Sequence, residues 1–83
     1  MDKIIFYGAS WCPDCFRSKK VLDDNKVEYE YIDIDLVDGA ADKVAEINKG
    51  MKSIPTIVFP DSTILVEPGD KELYEKLTQI THA

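Results

Sequence analysis

The chain has 83 residues, which leaves room for one domain and not a second. Sixteen acidic residues against ten basic ones give a formal charge of −6, so the chain lacks the concentrated basic face that phosphate backbones require. A hydrophobic content of 45% beside 31% charged residues is that of a folded globule and not of a disordered segment. The core is small, since a chain of about this size buries only ~60–65% of its unfolded surface.

Ile4-Ile5-Phe6-Tyr7 is a continuous apolar run closed by Gly8 and reads as a buried strand. Pro13 suits the first position of a helix, and Pro13 to Asp24 has helical periodicity, with Cys15, Ser18, Val21 and Leu22 on one face. Val27 to Asp35 is rich in β-formers, with Tyr29 and Tyr31 predicted on one face and Ile32 and Ile34 on the other. Asp38-Gly39 starts a second helix carrying Ala41, Val44, Ala45 and Asn48, and Gly50 stops it. Thr56 to Phe59 and Thr63 to Val66 are two strands joined by Pro60-Asp61-Ser62, which predicts an antiparallel hairpin. Gly69-Asp70 starts a last helix with Leu73, Leu77 and Ile80 inward. The order is βαβαββα. It predicts an α/β domain with a four-stranded mixed sheet, its first two strands parallel, and three helices spread over both faces.

Cys12 and Cys15 are the two cysteines. A bond between them would close a tiny loop and constrain the unfolded chain very little. Two cysteines also fall short of the four or more of a disulfide-framed miniprotein. Chemistry is therefore the better explanation for the pair than stapling. Met1-Asp2-Lys3 leads into an apolar stretch too short for a signal-peptide core or a membrane span. The expected location is the cytoplasm, with no membrane or nucleic-acid partner.

Trp11-Cys12-Pro13-Asp14-Cys15 places C-x-x-C between a strand and a helix, which is the redox form of the motif. The unpaired N–H groups and the dipole at a helix N-terminus favour an anion, and the thiolate is the nucleophilic form of cysteine. Cys15 lies one turn later on the same side, within reach of a disulfide on Cys12. The charge of Asp14 opposes a thiolate there, while its place in the first turn suits a carboxylate. A zinc half-site or inert buried cysteines are the bland alternatives. Zinc asks for more ligands, and the one histidine is His82, next to the end of the chain. No metal is expected. For Ile54-Pro55-Thr56 two readings stay open: a proline at a strand edge, or a cis-proline beside the dithiol.

These residues together resemble the glutaredoxin family of the thioredoxin superfamily, mycoredoxin-like members included. The strand Ile4–Tyr7, the Trp11–Cys15 motif, Arg17 and Lys19, Ile54-Pro55-Thr56, Val66-Glu67-Pro68 and Gly69-Asp70 fall in the family's order, over nearly the whole length. The resemblance implies a thioredoxin-like fold with Cys12 as nucleophile, Cys15 as resolving thiol and Pro55 in cis. It implies substrate contacts at Trp11, Pro13, Asp14 and Arg17 around the motif, and at Ile54, Pro55 and Thr56 opposite it. Ile54 would offer backbone hydrogen bonds to a peptide-like substrate, and Gly69-Asp70 would meet the charged γ-glutamyl end of glutathione. Three departures touch glutathione: Ala9 stands where members often have lysine, Asp14 where they often have tyrosine, and Pro68-Gly69-Asp70 where they have Gly-Gly-x-Asp.

The implied activity is thiol–disulfide exchange by a monomer on disulfide-containing or glutathionylated proteins. No cofactor is tightly bound, and glutathione or a flavin-dependent reductase restores the dithiol. The alternatives are a thioredoxin-reductase-dependent redoxin, such as one serving ribonucleotide reductase, an iron–sulfur scaffold, and a binding module without turnover.

Overall fold

The computed structural model describes residues 3–81, so His82 lies outside the described residues. Its elements run β1 (Ile4–Gly8), α1 (Pro13–Asp24), β2 (Tyr29–Asp33), α2 (Ala40–Ile47), β3 (Thr56–Val58), β4 (Ile64–Val66) and α3 (Asp70–Thr81). The sheet order is β2-β1-β3-β4, with β1 parallel to β2 and antiparallel to β3, and β3 antiparallel to β4. This is the predicted mixed sheet. β1 has neighbours on both edges and cover on both faces, which is why its sequence is apolar throughout.

One face of the sheet carries the main core. Phe6 pairs with Ile57 across the β1–β3 ladder, and both are fully buried. Leu22 of α1 and Leu73 and Leu77 of α3 close over them, and the two helices pack together. The Phe6 ring lies 6.0 Å from that of Tyr29 and 5.4 Å from that of Tyr31. The other face is thinner. Eight-residue α2 buries Ala40 and Val44, and Asn48 just beyond it donates to the Thr56 hydroxyl at 3.0 Å.

Three expectations need correction. The second strand is shorter than 27–35, because an Asp33 carboxylate oxygen accepts the Asp35 N–H at 2.9 Å and turns the chain. Ile34 therefore falls in the turn, and it packs against the same cluster as Tyr29 and Tyr31 instead of on the opposite face. The hairpin strands are each one residue shorter. Phe59 and Thr63 close the turn instead, through a Phe59 N–H to Thr63 carbonyl bond of 2.9 Å. In α2 the fully buried positions are Ala40 and Val44, with Ala41 and Ala45 half-buried.

Gly8 lets α1 approach the sheet at the dithiol. A Cβ there would sit 2.8 Å from Phe6 Cε1, 3.0 Å from Cys15 Sγ and 3.2 Å from Tyr31 Cε2. Phe6 and Cys15 are buried and cannot swing away. Gly8→Ala should therefore destabilise the fold by about 1–3 kcal/mol, read from the urea midpoint. Ser18 gives the opposite case, a fully buried hydroxyl with no hydrogen-bond partner among the described residues. Ser18→Ala removes an unsatisfied polar atom and improves helix propensity, so the midpoint should hold or rise.

Candidate active site

The dithiol sits where β1 ends and α1 begins. Cys12 is the N-cap of α1, in extended conformation, and its sulfur accepts the N–H of Cys15 at 3.2 Å. Ser, Thr, Asp or Asn usually supply this acceptor. Pro13 follows at the first helical position, where a missing N–H is no loss, and Asp14 places a carboxylate in the first turn. Both cysteines are free thiols. Both are also buried, Cys12 at 5% exposure and Cys15 at 2%, so exposure alone hardly separates them.

Their surroundings do separate them. Cys15 faces the sheet beneath the helix. Burial first, and then its hydrogen bond with Cys12, push its thiol up to about 12 from an ordinary 9.0. The hydroxyl of Tyr31, across Gly8, is also held above its ordinary range, by burial first and then by the charge of Cys15. A cavity of about 140 Å³ opens here, lined by Cys15, Ala9, Ser10, Phe16, Lys19, Tyr31 and Asp33. The Lys19 ammonium lies 4.8 Å from the centre of the Tyr31 ring. Of these residues, sequence reasoning singled out only Cys15 and, within the motif order, Ala9 and Lys19. The β1–β2 register sets Tyr31 beside Phe6 and Asp33 beside Gly8, and no local motif signals that register.

The other expected site residues divide. The Ile54–Pro55 bond is cis. Ile54 belongs to the same buried cluster as Cys12 and Cys15, and the Pro55 carbonyl accepts the Glu67 N–H at 2.8 Å. Thr56 does not turn its side chain to the dithiol. Its hydroxyl is fully buried, accepting from Asn48 and donating to the Ser53 carbonyl at 2.7 Å. Trp11 is 65% exposed, yet its indole N–H is fixed to Asp35 at 2.6 Å. Asp35 went unnoticed in the sequence, because it lies 24 positions from Trp11.

Arg17 and Asp70 come together instead of standing apart as separate substrate contacts. Arg17 Nη1 is 2.6 Å from Asp14 Oδ1, and its Nε is 2.8 Å from Asp70 Oδ1. The bond to Asp14 first, and then that to Asp70, raise the guanidinium still further above its ordinary range. A side chain added at Gly69 would meet nothing within 4 Å, so packing does not require glycine there. Among the described residues no group of three or more His, Cys, Asp or Glu could hold a metal ion. No helix among them is long and apolar enough to cross a membrane.

The family model described as glutaredoxin matches residues 4–64. The chain belongs to the glutaredoxin family. A Mycobacterium tuberculosis protein bearing a glutaredoxin name is 35% identical over 77 residues, which are 93% of this chain and 92% of that one. Mycoredoxin 1 of Corynebacterium glutamicum is 32% identical over 77 residues, covering 93% of this chain and 95% of that one. The crystal structure of a glutaredoxin from Archaeoglobus fulgidus superposes with a TM-score of 0.74 at 30% identity, over 100% of this chain and 89% of that one. Glutaredoxins are thioredoxin-like redox proteins, and this glutaredoxin has their three helices and four-stranded mixed sheet.

The raised Cys15 thiol gives a pH dependence with a definite sign. The folded chain holds that proton more tightly than the unfolded chain does. Its contribution to stability is thus fully present below about pH 9 and is lost as pH rises from there towards 12. Under reducing conditions the urea midpoint should fall over this range. Cys15→Ser should flatten part of the fall, leaving the shares of Tyr31, held up by burial first, and of Tyr29, held up by burial first and then by its bond to Asp23.

Proposed function

We propose that this chain is a thiol–disulfide oxidoreductase that reduces protein disulfides or glutathione mixed disulfides through Cys12 and Cys15. The observation that carries this reading is the sulfur-capped helix. The Cys12 sulfur occupies the end of α1, where the partial positive charge of the backbone gathers, and Cys15 is one turn away. Membership of the glutaredoxin family supports it.

The thiolate of Cys12 attacks one sulfur of a substrate disulfide. A new S–S bond forms, and the other substrate sulfur leaves as a thiolate and takes up a proton. Cys15 then loses its proton and attacks Cys12 Sγ. The substrate is released as a second thiol, and Cys12–Cys15 remains as a disulfide. Two electrons have passed from the dithiol to the substrate. Burial keeps Cys15 a thiol until that second step. With a glutathionylated substrate, Cys12 alone suffices, because free glutathione can resolve the adduct. In this reading the backbone of the cis-Ile54–Pro55 loop offers an extended edge to a substrate peptide, supported by the buried cluster that Ile54 shares with Cys12 and Cys15. Trp11, Pro13, Asp14, Arg17, Gly69 and Asp70 are the further substrate contacts of this reading, supported by the bonds that bring Arg17 to Asp14 and Asp70. The working compartment is the cytoplasm, and the working form is a monomer.

Two variants test the scheme. Cys12→Ser should abolish turnover of every disulfide. Cys15→Ser should stall on protein disulfides as a covalent adduct, visible as an increase equal to the substrate's mass. Full reduction of protein disulfides by Cys15→Ser would overturn the dithiol scheme. A coupled NADPH assay, run once with glutathione and its reductase and once with thioredoxin reductase, assigns the electron donor by which one sustains turnover.

A further inference from the structure

Cys15 can attack Cys12 Sγ only after its own proton has left, and burial first, then the Cys12 hydrogen bond, hold that proton up to about 12. On α1 its charged neighbours are poor acceptors. Asp14 opposes the loss, and its carboxylate is bound to Arg17 at 2.6 Å. Lys19 is a cation, and the Cys12 sulfur is tied up in the mixed disulfide at this stage. β1 contributes only Gly8 here. The groups able to take a proton come from β2.

The cavity of about 140 Å³ beneath α1 is lined by Cys15, Tyr31 and Asp33 together. A Cβ on Gly8 would lie 3.0 Å from Cys15 Sγ and 3.2 Å from Tyr31 Cε2, so the sulfur and the ring edge flank one point. The Tyr31 hydroxyl makes no hydrogen bond among the described residues. Tyr29, two residues earlier on the same strand, donates its own to Asp23 at 2.7 Å. Burial first, and then the charges of Cys15 and Asp33, hold the Tyr31 phenol above its ordinary range, so it is within electrostatic reach of both. Asp33 spends one carboxylate oxygen on the Asp35 N–H and keeps the second. With Ser10, Lys19 and Asp33 as polar lining, the cavity has room for water to bridge the hydroxyl to either neighbour. Packing on Phe6 needs only the Tyr31 ring.

A phenol that stays protonated can accept one proton while giving up its own, and so pass a proton without carrying charge. We propose that the Tyr31 hydroxyl relays the Cys15 proton across the cavity to the Asp33 carboxylate during the resolving step. The inference rests on the thiol–disulfide reading above and deepens it. The Cys15 S–H bond breaks, the phenol takes that proton and passes its own to Asp33. The sulfur's electron pair forms the bond to Cys12 Sγ, and the Cys12–substrate bond breaks with its pair on the substrate sulfur. Asp33 then returns the proton to solvent.

The reduced protein is mixed with the aromatic disulfide dithiodipyridine, which releases one coloured thione when Cys12 attacks and a second when Cys15 resolves. The reagent is raised until the second release no longer depends on its concentration, which makes that rate the resolving step. Tyr31→Phe should leave the first release unchanged and slow the second by about 100-fold near neutral pH, the lower end of general acid–base catalysis. Asp33→Asn keeps an oxygen for the Asp35 N–H and should slow the same step. Both variants should approach the wild-type rate in alkali, where hydroxide takes the proton directly. The double variant should be no slower than the slower single one, since both act on one relay. Tyr29→Phe should change neither release.

The proposal is overturned if either single variant resolves at the wild-type rate near neutral pH. It is equally overturned if the deficit is the same at every pH, the sign of a displaced sulfur and not of a slow proton, or if the two deficits multiply. If the wild-type chain shows no second release, Cys15 does not resolve, and the dithiol reading itself fails.

Discussion

The hydrogen bond from the Cys15 N–H to the Cys12 sulfur is the contact on which the site depends. A helix must satisfy the donors of its first turn, and an oxygen usually does so. Here the capping atom is a cysteine sulfur. The cap fixes the side chain of Cys12 at the helix end, and Pro13 begins the turn with no donor to waste. The same turn brings Cys15 round onto β1. Gly8 must then lack a side chain, because Cys15 Sγ would stand only 3.0 Å from its Cβ. One short contact therefore runs from a glycine in the central strand, through the buried thiol and its N–H, to the exposed end of the helix. Serine at position 12 could keep the cap, but it would lose the chemistry.

Both thiols are buried, and position is what separates them. Cys15 and Tyr31 flank Gly8 in a pocket where burial disfavours charge on either. Cys12 lies where the backbone N–H groups of α1 converge. Negative charge is costly beneath the helix and tolerated at its end. The cis peptide at Pro55 is tied to the end of β4 by the Glu67 N–H.

The parts legible in the sequence were those fixed by period or by a local motif. The apolar run of β1, the inward Leu73 and Leu77 of α3, and the strand–C-x-x-C–helix arrangement each carry their signal within a dozen residues. What escaped depends on pairing between distant segments. The β-formers from Val27 to Asp35 contain no glycine or proline to mark the end of β2. The end is set by the Asp33 carboxylate capturing the Asp35 N–H, which sends Ile34 back to the main core. Thr56 belongs to a motif that suggests a site residue, but strand parity turns its hydroxyl towards α2. Arg17 and Asp70 are 53 positions apart, and neither announces the other.

The acidity of the chain takes on a specific meaning through that last pair. Exposed ion pairs contribute on the order of 0–1 kcal/mol each, so stability alone is a weak reason for Arg17 to sit between two aspartates. Among the described residues, Lys20–Asp24 and Lys43–Glu46 each join residues of one helix. The Arg17 pairs instead join the first turn of α1 to the first turn of α3, at the mouth of the site. Asp14 and Asp70 are each favourable at a helix N-terminus, where each suits the dipole of its own helix. Two helix starts that prefer carboxylates thus converge on the single guanidinium of Arg17, which ties the beginning of α1 to that of α3.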